Sequence, residues 1–238
     1  MYDVYYLMVK KVIYILILIV SISVIGGCGG DFSGKSQGII YYKVSYPKMD
    51  KRNLMFDFMP KKMVLKFKDN KYVTNMTAGM GMFKTDIVVD QEENQFSQMV
   101  KLINKKYILT LKGDHIKKSL ANLPKYHVEQ TGETKIILNF LCKKAIVTID
   151  NDTNKIFTVY YTDKINIEDP NWSNEFSEID GVMLEYQYEK YGVCMKFEAK
   201  KIQFTDIDDS EFEIDPKYKA IPEAAMDKEM QEIFDSFN

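Results

Sequence analysis

The chain has 238 residues, enough for one domain with a sizeable core, and 46% apolar with 13% aromatic content is that of a folded protein rather than a disordered one. Its 32 basic and 34 acidic residues nearly cancel, to −2, which leaves no electrostatic footprint for a nucleic-acid partner.

The N-terminal stretch sets the expected location. Lys10 and Lys11 precede an apolar run over 12–25, interrupted only by Ser21 and Ser23, and Gly26-Gly27 stands directly before Cys28. This is the charged, apolar, small-residue order of a secretory signal. Ile25-Gly26-Gly27-Cys28 resembles the bacterial lipobox, whose cysteine becomes the lipidated N-terminus after cleavage. The run is short of the roughly 20 residues that span a bilayer, so a lipid anchor is expected in place of a transmembrane helix. The expected layout is a signal peptide over 1–27, with Met8 as an alternative start, then lipidated Cys28 and a Gly/Ser-rich tether to residue 37. Removing 1–27 takes away Lys10, Lys11 and Asp3, leaving 30 basic and 33 acidic residues.

From residue 38 the chain alternates. Ile40, Tyr42, Val44 and Tyr46 share one face of a first strand. Met63, Leu65 and Phe67 mark a second, and the turn at Asp69-Asn70 leads to a third over 72–76. Phe83, Thr85, Ile87 and Val89 alternate with Lys84, Asp86, Val88 and Asp90; strands over 96–102 and 107–111 follow around Asn104. Then the period changes: Ile116, Leu120 and Leu123 are helically spaced between a cap at Asp114 and a stop at Pro124. Strands resume at 125–130, 135–140, 143–149 and 155–162, the last two joined by a turn over 150–154. Val182, Leu184, Tyr186 and Tyr188 alternate with polar neighbours, and Tyr191-Gly192 turns into a strand with Val193, Met195, Phe197 and Ala199 on one face. The apolar phase then slips to Ile202 and Phe204, which predicts a bulge at Lys200-Lys201. Pro222 opens a C-terminal amphipathic helix over 222–238 with a stripe of Met226, Met230, Ile233, Phe234 and Phe237.

So many consecutive strands with two helices predict a mainly β (α+β) fold. Its long antiparallel sheet must curl into a half-barrel with one buried face, over 38–221, with a short helix near 114–123 and the C-terminal helix across the concave side. A β-sandwich is the second architecture.

Phe140-Leu141-Cys142-Lys143-Lys144-Ala145 followed by Tyr160-Tyr161-Thr162-Asp163-Lys164-Ile165 resembles the "yxCkkA … WYTxxI" succession of the GLPGLI family of envelope proteins. The naming motif of that family falls on residues 178–185, where Gly181, Leu184 and Glu185 match and Glu178 and Asp180 differ. Phe212, Pro216 and Tyr218 are similar to its closing motif. The resemblance implies a relative of the lipoprotein-carrier half-barrels, which hold acyl chains. It implies no catalytic residues.

The residues themselves offer little chemistry. His115 sits beside a helix cap and His127 on the wet side of a strand, and neither joins a nucleophile motif. Asp150 and Asp152 open like a calcium loop, but Lys155 replaces its glycine and Tyr161 its closing glutamate. Asp206, Asp208, Asp209 and Glu211 are read as a solvated turn. Seven of the fourteen methionines fall between Met49 and Met82, suited to core packing, to an adaptable apolar mouth or to Cu(I). Cys142 and Cys194 open the first and fourth strands of a meander, about 14 Å apart sideways and at opposite ends, so they are expected to stay unpaired. The expectation is a non-enzymatic lipoprotein of the cell envelope, in the outer membrane. It has no catalytic residue, metal or cofactor and no nucleic-acid partner. It binds a lipid or other hydrophobic ligand near Val182, Leu184, Tyr186 and Tyr188. The alternative is a structural protein with a self-filled core and a protein partner.

Overall fold

A computed structural model describes residues 36–235 except Asn53 and Asn151; they belong to one compact unit, Phe32–Asn238. The lipidation and signal expectations at 1–28, and Phe237, lie outside the described residues. Eleven strands form antiparallel pairs: β1 (Gln37–Ser45), β2 (Lys62–Lys68), β3 (Lys71–Ala78), β4 (Phe83–Asp90), β5 (Gln95–Leu102), β6 (Lys105–Lys112), β7 (Tyr126–Ile137), β8 (Phe140–Ile149), β9 (Asp152–Thr162), β10 (Val182–Lys190) and β11 (Val193–Gln203). A two-residue β12 (Lys219–Ala220) adds a parallel pair to β6. The helices are α1 (Asp114–Ala121) and α2 (Glu223–Asp235). The sheet order is β12-β6-β5-β4-β3-β2-β1-β11-β10-β9-β8-β7, two meanders joined where β1 pairs with β11. The fold is the mainly β curled open sheet that the alternation implies.

The predicted bulge is present: Tyr41 pairs with Lys201 and Tyr42 with Ala199, so Lys200 is the extra residue. Four details differ from the sequence reading. Residues 126–130 and 135–137 belong to one strand, β7, which leaves the ladder with β8 between Gln130 and Thr134 and then rejoins it. Leu138 and Asn139, both at positive φ, make the two-residue hairpin that starts β8 at Phe140. Ile149 already pairs with Asp152, so the next turn is tighter than the five residues expected. The residue preceding α1 is Gly113, at φ 52°, and Asp114 is the first helical residue rather than its cap.

The main core joins Ile40, Tyr42, Phe67, Leu184 and Phe197 to Met226, Met230, Ile233 and Phe234 of α2. A second cluster gathers Val147, Phe157, Val159 and Tyr161 around Phe176 and Ile179 of the 163–181 loop. The third overturns the expectation of one wet face. Val73, Val88, Met99 and Ile108 point to the opposite side of the sheet and are covered by Phe212, Ile214 and Tyr218. The segment after β11 therefore straps the outer face, passes beside β6 as β12, and enters the concave side as α2.

Candidate ligand cavity

The β3–β6 half of the concave side is not filled by its own side chains. A cavity of about 290 Å³ lies between the sheet, the 163–181 loop, α1 and α2. Strand register builds its floor. Leu65, Thr74, Ile87, Gln98 and Leu109 form one transverse row across β2–β6, and Met63, Met76 and Thr85 belong to the next. Phe176, from the loop, packs edge-on to Tyr186, centroids 5.9 Å apart, and Tyr186 stacks on Phe197 at 4.7 Å.

The loop is held by hydrogen bonds that leave the sheet in place. Asn171 donates to the carbonyls of Ile179 (2.8 Å) and Gly181 (2.9 Å), and the Tyr72 hydroxyl donates to Pro170 O at 2.9 Å. Tyr188 donates to Glu175 at 3.0 Å, and Tyr191 to Asp227 of α2 at 2.8 Å. Phe234 stacks on Tyr191, and Ser119 of α1 bonds Glu223 of α2, so the two helices and the β10–β11 turn close one end together. Burial pushes the Tyr72 hydroxyl up to about 12 and the Tyr42, Tyr186 and Tyr188 hydroxyls higher still. These tyrosines are thus neutral at physiological pH, and the carboxylates of the lining, Glu175, Glu223 and Asp227, each accept a hydroxyl.

Of the four expected ligand residues, Val182, Tyr186 and Tyr188 line the cavity and Leu184 does not. Met183 pairs with Tyr161 and Glu185 with Tyr160, so Leu184 is the extra residue of a bulge. It is 0% exposed in the main core, and Met183, expected on the wet face, lines the cavity instead. Sequence reasoning assigned no element to 163–181 and placed Thr85 on an apolar face without using its polarity. The legible signal was a hydroxyl or amide interrupting an apolar alternation, at Thr74, Thr85 and Gln98.

The other candidates sit elsewhere. His115 is exposed. His127 is exposed and bonds Asp150 at 2.5 Å. Among the described residues no three His, Cys, Asp or Glu side chains could hold a metal. Asp208 caps the turn Asp209–Phe212, and Lys68 and Lys66 pair with Asp209 and Glu211. The methionines divide: Met59 and Met63 are core, Met63 and Met76 also line the cavity, and Met80 is 99% exposed. Cys142 and Cys194 are free and buried.

Fold and cavity define a curled antiparallel half-barrel whose open concave side is compatible with ligand binding. The chain belongs to the family described as N-glycanase peptide, N-terminal domain, whose model matches residues 61–210. Among solved structures it is similar to PNGF-II in a C2 space group, at 17% identity and TM-score 0.50, over 82% of this chain and 32% of that one. The chain therefore spans about a third of that protein. A beta-barrel-like protein of the domain of unknown function DUF1849 from Brucella abortus matches at 11% identity and TM-score 0.35, over 72% of this chain and 98% of that one. No curated protein matches.

Proposed function

We propose that this protein is a non-enzymatic, membrane-anchored lipoprotein of the cell envelope that holds a small hydrophobic or amphipathic ligand in the half-barrel. The cavity of about 290 Å³, walled largely by apolar side chains, carries the reading. The residues best suited to covalent chemistry are out of play. Burial pushes the Cys142 thiol up to about 11 and raises that of Cys194, which removes the thiolate that a nucleophile needs. Both histidines are on the exterior. Family membership ties the chain to an N-terminal domain of N-glycanase, and N-glycanase activity is not part of the proposal. The GLPGLI-type resemblance, which rests on the motifs around 140–165, supports an envelope carrier.

A filled-core structural protein is the second reading, favoured by the half of the concave side that Ile40, Phe67, Leu184 and α2 occupy. Native mass spectrometry of residues 36–238 purified from cells separates the two. A co-purified ligand near one per chain, lost in a folded Ile87→Trp variant, supports binding. Bare protein in both favours the filled core. Anchoring at Cys28 is tested by alkyne fatty-acid labelling, which Cys28→Ser should abolish; undiminished labelling removes the lipoprotein part of the proposal.

A further inference from the structure

Resting on that reading, we infer that the ligand carries one uncharged hydrogen-bonding group, an amide or hydroxyl, seated on Thr74, Thr85 and Gln98 behind a single short apolar arm. Thr85 is 4% exposed, and its hydroxyl has no hydrogen-bond partner among the described residues. Thr74 and Gln98, half-buried on the same wall, make no side-chain hydrogen bond with a described residue either. Ile87 pairs with both, which puts them two strand spacings apart, roughly 10 Å, with Thr85 diagonal to each. The side chains between them are Met76, Ile87 and Val100, none of which offers a partner. Buried polar groups are normally paired, and an exception calls for an explanation. These groups are completed only from inside the cavity, by water or by a ligand.

The chemistry of the trio selects the group. Two hydroxyls and a carboxamide offer both donors and acceptors, the complement of an amide or hydroxyl that also offers both. No lining residue from β1–β6 is charged, whereas Glu175, Lys190, Glu223 and Asp227 come from the loop, the end of β10 and α2. A carboxylate or ammonium on the floor would be buried without a counter-ion, which is strongly unfavourable. Size sets the arm: the cavity of about 290 Å³ stands at the lower end of the roughly 300–1,000 Å³ of small-molecule sites, which suits one medium chain with its head group.

Octanamide, octanoate at pH 8 and 1-chlorooctane, titrated into the Phe32–Asn238 unit, form the test. Octanamide should bind at least tenfold tighter than octanoate. In a Thr85→Val/Gln98→Met variant octanamide should weaken roughly tenfold while 1-chlorooctane is unchanged. Equal loss of both probes, or loss of neither, overturns the inference and leaves apolar binding standing. Failure of all three to bind the parent protein overturns both. Should the double variant not fold, the parent comparison decides: octanoate binding as well as octanamide overturns the inference.

Discussion

Gly181 shows how much a single residue can fix. Its φ is +145°, and a Cβ there would lie 2.6 Å from the carbonyl oxygen of Thr162. The loop end presses against β9 at this point, which is why glycine stands there. Gly181→Ala should cost about 2–4 kcal/mol in urea unfolding; a loss below 0.5 would mean that the contact relaxes freely. The thiols make a second residue-scale prediction. Cys142 rises from 9.0 to about 11 through burial. Between those values the unfolded chain has lost the proton and the native chain keeps it, so the native state binds more protons and stability falls as pH rises. The loss should begin near pH 9 and reach about 2–3 kcal/mol by pH 11. Cys142→Ala should flatten the part between 9 and 10, before tyrosine ionisation adds to it. Alkylation of the unfolded, unreduced unit should give two labels, as free cysteines require. The separation was legible because four successive antiparallel strands put the first and fourth far apart. The burial of Cys194 was not, since it sits on the side of Lys196 and Glu198, where its Sγ meets Gln187 at 3.8 Å.

At the scale of elements, sequence pattern told most where it was periodic. The slip after Ala199 located the Lys200 bulge, and the Met226, Met230, Ile233 and Phe234 stripe located α2, whose buried residues are those four. The pattern misled where a bulge or a looped-out stretch hid continuity. Gln130 and Lys135 read as the ends of different strands, although both pair with β8. The bulge at Leu184 sent a residue with cavity-like periodicity into the core. The 163–181 loop was invisible because its order comes from Asn171 hydrogen bonds and from Phe176 packing, neither of which has a period. If α2 is part of the core, Met226→Ala, at a site 1% exposed, should destabilise the whole unit by about 2–4 kcal/mol. A change confined to local fraying of the helix, seen by hydrogen exchange with the global melt unmoved, would contradict this.

At the scale of the molecule, one chain path explains both faces. The outer strap of Phe212, Ile214 and Tyr218 covers the outer side of β3–β6, and α2 then closes the inner side, so these strands are buried on both faces yet keep a chamber on one. The sheet was legible from alternation. The chamber was not, because its volume depends on how far the curled sheet stands from the loop and helices. The central claim is that this chamber takes an apolar arm. A crystal of the Phe32–Asn238 unit grown with saturating 8-bromooctanamide tests it most directly through the anomalous signal of bromine. The account predicts one strong bromine site inside the wall formed by Met63, Ile87, Phe176 and Tyr186. Bromine found only on the outer surface, with the chamber walls unchanged, would contradict it.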